Sequence, residues 1–472
     1  MLMRVVCTLI ITQAIYAFAL PLSSSRPATA MVKGKQAPTI RRTSSLAYDD
    51  ALEETQNHRG LDSWRKRWNL PPRSPLVTST STSTALASSP STSSLSEQQD
   101  GTMKPIYTFG VLTDIQYAPI PDGTSYSGNP RYYRHARKAA EHAALHFQEE
   151  QAHCIVNLGD IVDGKCSDVE KWGGSLSDND AGEEKNSEGE KKTNGSGSGS
   201  GVGHDAIDDV LKALSSYNTG RILHTYGNHE LYNLNRSELA QKLSIPFRLE
   251  PTDDLVGYYD HLLHETEQSS DMKLRFLFID SYDICLLDRC PENSPKRKRA
   301  HEILIKNNPN YPKDSNSPAG LEGLSKRFVA FNGAVDVPQM EWLEESLQMA
   351  RENGEKVILC SHQPIHPQST WPTCLIWNYD EVLTIVRKYG DVVCASFSGH
   401  AHKGGYIRDE ESGVHFRVFE AVLESPDPIK TYAMVDVWED RMVLRGCGDC
   451  MSDMYDFDHL TIAAENNVYN DA

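Results

Sequence analysis

The sequence predicts an α/β domain in which a pair of mixed sheets is flanked by helices. Three observations lead there. Short apolar runs rich in β-branched residues alternate with longer amphipathic stretches, which is the pattern of α/β layering. The last third of the chain crowds four such runs together with no room for helices between them. Most of the earlier runs are followed at once by Asp, Asn or His, where open α/β sheets collect their chemistry.

In chain order, Ile106–Leu112 opens the series as a strand, and Tyr132–Gln151 follows as an amphipathic helix. Cys154–Leu158 reads as a strand, Ala206–Ser216 as a helix, and Arg221–Thr225 and Leu274–Ile279 as further strands. Pro338–Glu352 is helical in pattern, Lys356–Cys360 a strand, Tyr379–Lys388 a helix, and Val392–Ser398 a strand. Gly404–Arg408, Val414–Phe419, Thr431–Val437 and Arg441–Gly446 follow so closely that they are expected to pair antiparallel. There is no internal repeat.

Composition sets limits on function. The chain has 472 residues, and 47 Lys+Arg against 65 Asp+Glu give a net charge of −18. That field would repel phosphate backbones, so no nucleic-acid partner is expected. Even Gly and Pro usage and the lack of sustained heptads exclude collagen and coiled coils. The one long apolar run is N-terminal. Met1–Ala19, with Arg4, an apolar stretch from Val5 and a small-x-small exit at Ala17-Phe18-Ala19, reads as a cleaved signal peptide. It is shorter than the roughly 20 apolar residues that span a bilayer, so no membrane span is expected after its removal.

Residues 20–103 form a Ser/Thr-rich leader, with too little apolar area between Pro75 and Gln99 to offset ordering entropy. They read as a disordered spacer or a transit segment. Ala17-Phe18-Ala19-Leu20-Pro21 resembles the bipartite plastid signals of algae with complex plastids, so the destination is either secretion or a plastid. The folded domain is expected over 104–450, interrupted at 173–203 by an acidic, Gly/Ser-rich flexible insertion and followed by a tail over 451–472. Ten scattered cysteines make no disulfide framework; Cys447-x-x-Cys450 reads as a surface turn or a redox pair.

The polar residues beyond the strands carry the functional reading. They are Thr113-Asp114-Ile115-Gln116, Gly159-Asp160-Ile161-Val162-Asp163-Gly164, Tyr226-Gly227-Asn228-His229-Glu230, Ser361-His362-Gln363-Pro364 and Ser398-Gly399-His400-Ala401-His402. Singly, each is a common turn or a hydrogen-bonded loop histidine. Five in order exceed what turn chemistry explains. Carboxylate and amide oxygens with imidazole nitrogens suit Mn²⁺-like divalent ions, and no thiolate lies in these motifs.

The ordered series D-x-[HQ], GDxxD, GNH[ED], a lone His and GHxH resembles the calcineurin-like metallophosphoesterases. Gly110–Ala118, Arg131-Tyr132-Tyr133-Arg134-His135, Asn316-Ser317-Pro318, Phe331-Asn332-Gly333 and Trp377-Asn378-Tyr379 narrow the likeness to manganese-dependent ADP-ribose/CDP-alcohol diphosphatases. The resemblance implies a four-layer α/β/β/α sandwich with two divalent metal ions, Mn²⁺ or Mg²⁺, between the two sheets.

It further implies that Asp114, Gln116, Asp160 and His402 hold one ion, and Asp160, Asn228, His362 and His400 the other. A metal-bridging hydroxide would then attack the pyrophosphate of ADP-ribose or a CDP-alcohol. His229 is placed as general acid, and Asp163 either orients it or caps the following turn. Gln116 stands where many relatives carry His, which implies weaker, exchangeable binding. Asp163 occupies the position of the metal-binding Tyr of purple acid phosphatases, which argues against a tyrosinate-iron centre.

Other residues have two readings. Arg131, Arg134 and His135 either reach substrate phosphates or lie on a solvated helix end, and Tyr117 either stacks on a base or packs in the core. Lys296-Arg297-Lys298-Arg299 reads as a solvated basic run in a Pro-bounded loop, and His224 and Cys360 read as core. Two alternatives for function are a phosphomonoesterase or phosphoprotein phosphatase on the same fold, and a metal-bound interaction scaffold without turnover. The Arg of the protein-phosphatase GDxVDRG pattern is missing after Asp163.

Overall fold

A computed structural model describes residues 104–172, 200–246, 248–249, 255–263, 272–287 and 293–460. The signal (1–19), the leader to residue 103, positions 173–199 of the insertion and the end of the chain from 461 lie outside the described residues.

Among the described residues two six-stranded mixed sheets dominate. The first has the order β12-β11-β10-β1-β2-β3, formed by β1 (Tyr107–Leu112), β2 (Cys154–Asn157), β3 (Arg221–His224), β10 (Tyr432–Val437), β11 (Arg441–Cys447) and β12 (Asp453–Asp456). β1 is central, parallel to β2 through Val111↔Val156 and antiparallel to β10 through Phe109↔Val435. The second has the order β8-β9-β7-β6-β5-β4, from β4 (Tyr259–Leu263), β5 (Lys273–Ile279), β6 (Glu355–Ser361), β7 (Val393–Ser398), β8 (Lys403–Arg408) and β9 (His415–Glu420). Its middle four strands run parallel, with an antiparallel strand at each edge.

Period-two alternation sorts the side chains of each strand between two environments. In β5, Phe276 and Phe278 enter the core between the sheets, while Leu277 and Ile279 face outward. Phe109 of the first sheet meets Phe276 of the second edge-on at 5.0 Å and Phe397 of the second at 6.5 Å, so aromatic contacts lock the two sheets face to face.

Outside the second sheet, α6 (Val337–Glu352) and α7 (Tyr379–Lys388) bring Leu343, Leu347, Val382 and Val386 onto the outward residues. Outside the first, α1 (Tyr133–Glu149) buries a stripe of alanines from Ala136 to Ala144 that lets the helix lie close. Its Phe147 covers Gly110, where a Cβ would come within 2.6 Å of the ring. The result is the expected α/β/β/α sandwich.

Several boundaries differ from the expectation. Residues 453–456 are strand β12, paired with β11 through Arg441↔Asp456, and Tyr455 is fully buried against Tyr406 and His415; the domain therefore runs beyond 450. Positions 200–203, assigned to the insertion, are the first turn of α2 (Ser200–Leu214).

The basic run belongs to α5 (Pro295–Asn307) rather than a loop: Ser294 caps it, Pro295 occupies its first turn, and Lys296 is buried on Asp283. Two short helices, α3 (Asn228–Asn233) and α4 (Arg236–Lys242), and the edge strand β4 also lay outside the sequence expectation. His224 and Cys360 are core residues as expected, burial pushing the His224 imidazole down to about 4. Cys447 and Cys450 carry free thiols at the hairpin end, closed by a Cys450 N–H to Cys447 carbonyl bond of 3.1 Å. Among the described residues no helix is long and apolar enough to cross a membrane.

Candidate metal centre

The carboxyl ends of β1, β2, β3, β6 and β7 meet, and the five polar clusters leave from them. Backbone conformation marks the place. Asp114, Gln116, Asp160, His400 and His402 all have φ between 43° and 66°, the left-handed region that side chains avoid. Each such residue costs on the order of 1 kcal/mol or more, and the cost persists only where the surroundings over-determine it. Close approach does this here. A Cβ on Gly399 would lie 2.0 Å from Thr113 Oγ1 and 2.5 Å from Asp114 Oδ2, and one on Gly227 would lie 2.0 Å from Asp160 Oδ1. The turns interlock so tightly that only glycine fits between them.

Asp114, Asp160 and His362 are buried, and their donor atoms converge. Asp160 Oδ2 lies 3.2 Å from His362 Nε2, and Asp114 Oδ1 lies 3.3 Å from His402 Nε2. One donor atom each from Asp160, His362 and His400 falls within 4.8 Å of the others, a spacing that could hold an ion. Asn228 begins α3, its Oδ1 accepting from the Tyr282 hydroxyl at 3.0 Å.

Every imidazole is tied by one nitrogen so that the other faces the cluster. His362 Nδ1 donates to the Leu158 carbonyl at 2.7 Å, His402 Nδ1 to Glu424 Oε1 at 2.9 Å, and His400 Nε2 to Asn332 Oδ1 at 2.9 Å. Asn332 cannot turn over readily, because its Nδ2 donates to the carbonyls of Arg327 and Thr373. Such tethers fix tautomer and ring angle for metal ligation.

The polar atoms left over fit cations. His362 Nε2 and Asp114 Oδ1 are buried without a hydrogen-bond partner. Burial pushes the His362 ring down, but the Asp160 carboxylate overrides it and the ring stands at about 9; His402 reaches about 9 in the same way through Asp114. For His400, burial and the neighbouring His362 charge both push down, to about 3. Burial works against ionising Asp160, yet the imidazoles hold its carboxyl below the usual range. The carboxylates thus demand positive charge, and divalent cations on deprotonated imidazoles meet the same demand.

Gln116 joins the cluster in an unexpected sense. Its Nε2 donates to Asp160 Oδ2 at 3.0 Å and sits 3.1 Å from His402 Nε2, while its Oε1 accepts from Arg131 Nη1 at 2.6 Å. Ligation through oxygen requires the amide to turn over.

His229 projects from α3 beside the cluster, Nε2 3.9 Å from Asp160 Oδ2. Its Nδ1 accepts the Gly164 N–H at 2.7 Å, so the proton of the neutral ring resides on Nε2. This revises Asp163. An Nδ1 that accepts has no proton to give a carboxylate, and Asp163 Oδ2 at 3.4 Å is only a neighbour. Asp163 instead caps the Lys165 N–H at 2.9 Å and faces Arg131 at 3.5 Å, positioning the turn that holds the ring.

Three residues beyond the expected set support the site. Glu230, quoted in the GNH[ED] motif without a role, is fully buried; its carboxylate accepts from the Asp160, Ile161 and Gly227 amides, and burial followed by the Asp160 charge lifts it to about 7. Asn332 stands in Phe331-Asn332-Gly333, quoted for the family likeness without a role, and Glu424 comes from a segment with no motif of its own.

Of the substrate candidates, Arg131 lies at the site. Tyr117 does not face it: the side chain is 8% exposed in the core, its hydroxyl bound to Asp209 at 3.2 Å. His135 is occupied with the Ile429 carbonyl at 2.9 Å. A cleft of about 440 Å³ opens beside His229, lined among others by Tyr126, Arg131, Tyr133, Asp163 and Lys165.

Comparison with known proteins gives a consistent result. The calcineurin-like phosphoesterase family profile matches residues 107–404. The chain is 38% identical over 354 residues to the manganese-dependent ADP-ribose/CDP-alcohol diphosphatase of Oryza sativa subsp. japonica, covering 74% of this chain and 94% of that one. It is 32% identical over 351 residues to the Homo sapiens protein of the same name, covering 73% and 90%. Among solved structures, a dimetal phosphatase from Danio rerio matches with a TM-score of 0.63 and 30% identity, over 75% of this chain and 100% of that one.

Proposed function

The chain belongs to the calcineurin-like phosphoesterases, in the manganese-dependent ADP-ribose/CDP-alcohol diphosphatase family, and from that premise we propose that it hydrolyses the pyrophosphate bond of both substrate types. The products are AMP with ribose 5-phosphate, or CMP with a phospho-alcohol. The observation that carries this reading is the convergence of seven polar side chains from five strand ends, with three imidazoles each tethered by one nitrogen.

Asp114, Gln116, Asp160 and His402 are proposed to hold one cation, and Asp160, Asn228, His362 and His400 the other, with Mn²⁺ preferred and Mg²⁺ the alternative. When bound, such a pair supplies Lewis acidity, which acidifies water and neutralises phosphoryl charge. The protein groups do the rest. His229 carries its proton on Nε2, on the side facing Asp160, and gives it to the oxygen that leaves. Gly164 and Asp163 keep the ring in that orientation, and Arg131 brings positive charge to the mouth of the cleft.

A panel of ADP-ribose, CDP-choline, an aryl phosphate and a phosphopeptide, each with Mn²⁺ and with Mg²⁺, tests the reading. Release of AMP and CMP with Mn²⁺ is expected. Preference for the aryl phosphate or phosphopeptide would favour a monoesterase, and no turnover at all a scaffold. For the N-terminus we retain the reading of 1–19 as a secretory signal, the destination beyond it being secretion or a plastid. N-terminal sequencing of the mature protein is the test, and a start at Met1 would remove it.

A further inference from the structure

We infer that Lys165 is the cation that receives the departing phosphate, and so determines the preference for a pyrophosphate over a simple diester. The inference rests on the pyrophosphatase reading above and names the residue that makes a second phosphate matter.

The cleft extends from His229 and Asp163 outward to Tyr126, with room for more than one phosphate. Two cations line it. Arg131 is engaged, bonded to Gln116 and paired with Asp163. Lys165 has neutral partners: its Nζ donates to the Tyr133 hydroxyl at 2.7 Å and lies 4.8 Å over the Tyr133 ring and 4.4 Å over the Trp172 ring. Among the described residues no carboxylate stands within ion-pairing distance of it. The nearest opposite charge is Asp163, which acts on the ammonium from beyond ion-pairing distance and is itself shared with Arg131, so an ammonium held by a phenol and two ring faces is available to an incoming anion.

Its position fits the leaving side. The turn over Asp163–Lys165 places the Gly164 N–H on His229 and Lys165 in the adjoining cleft, so proton donor and cation belong to one rigid piece. During hydrolysis the oxygen of water bonds to one phosphorus, keeping one proton and releasing the other to solvent, from which His229 is later reprotonated, and the bond from that phosphorus to the bridging oxygen breaks. The bridging oxygen keeps the electron pair, takes the proton from His229 Nε2, and departs as part of the second phosphate. Negative charge builds on that phosphate as the bond breaks, and a cation there favours the transition state over the ground state.

The test compares wild type, Lys165→Met and Lys165→Arg on ADP-ribose, CDP-choline and bis(4-nitrophenyl) phosphate with saturating Mn²⁺. A charge-assisted hydrogen bond of this kind corresponds to roughly a 10- to 100-fold effect. Lys165→Met is therefore expected to lose about that factor in kcat/KM on both nucleotides, with the diester changed by no more than about three-fold and Lys165→Arg recovering most of the loss. Full activity of Lys165→Met on the nucleotides, or parallel loss on all three substrates, overturns the assignment. A wild type that cleaves the diester but neither nucleotide overturns the pyrophosphatase reading itself, and the inference with it.

Discussion

The ligand bed and the cleft beside it are built in opposite ways. In the bed, Asp114, Gln116, Asp160, His400 and His402 stand in left-handed backbone, and glycines at 227 and 399 admit no added carbon. In the cleft, Tyr126 is 82% exposed, on a segment that reaches solvent. The first region is over-determined, so that few atoms can move without moving ligands. The second is adaptable, suited to a substrate whose nucleoside and alcohol parts vary. Rigidity is placed where charge must be held, and latitude where shape must be accommodated.

Substitutions should follow that division, and the most severe belong to the bed. Asp160→Ala is expected to reduce kcat/KM by on the order of 10⁴-fold and to lose bound metal, measured by ADP-ribose turnover and elemental analysis. Equal activity would show that Asp160 holds no cation. At the boundary, His229→Ala should lower kcat about 10²–10³-fold with metal content nearly unchanged; loss of both metals would make His229 a ligand instead.

The tethers come next. Asn332→Ala or Glu424→Ala should weaken Mn²⁺ affinity about 10- to 100-fold, with kcat largely restored at high Mn²⁺. A kcat deficit that no Mn²⁺ concentration relieves would blur the line between bed and cleft. The mildest change is in the cleft itself: Tyr126→Ala should raise KM for ADP-ribose by about 10-fold through lost ring stacking, with kcat little altered.

The bed was legible in the sequence because its residues follow buried strands directly, and apolar runs announce where strands end. The roles of its tethers were not, although Asn332 and Glu230 stood in quoted motifs. Asn332 and Glu424 act from irregular segments whose placement depends on tertiary packing, and Glu230 shows its purpose only once α3 is seen against the loop after β2. The sense of the Gln116 amide and the acceptor role of His229 Nδ1 are likewise set by neighbours, Arg131 and Gly164, that spacing cannot identify.

In the fold, what escaped had weak periodicity. β4 buries only its two end residues, Tyr259 and Leu263, and β12 only Tyr455. α5 hid behind its Lys/Arg run because its inward stripe is Lys296, Ala300 and Leu304, one of them charged, although Ser294-Pro295 was a readable helix start.

Glu230 binds more than a loop. By accepting amides on both sides, its carboxylate staples the Gly-Asp turn to the Gly-Asn-His turn some seventy positions away. The two sequence signatures are then a single mechanical part made from two pieces of chain, so any transplant of this chemistry into another scaffold must carry both halves together.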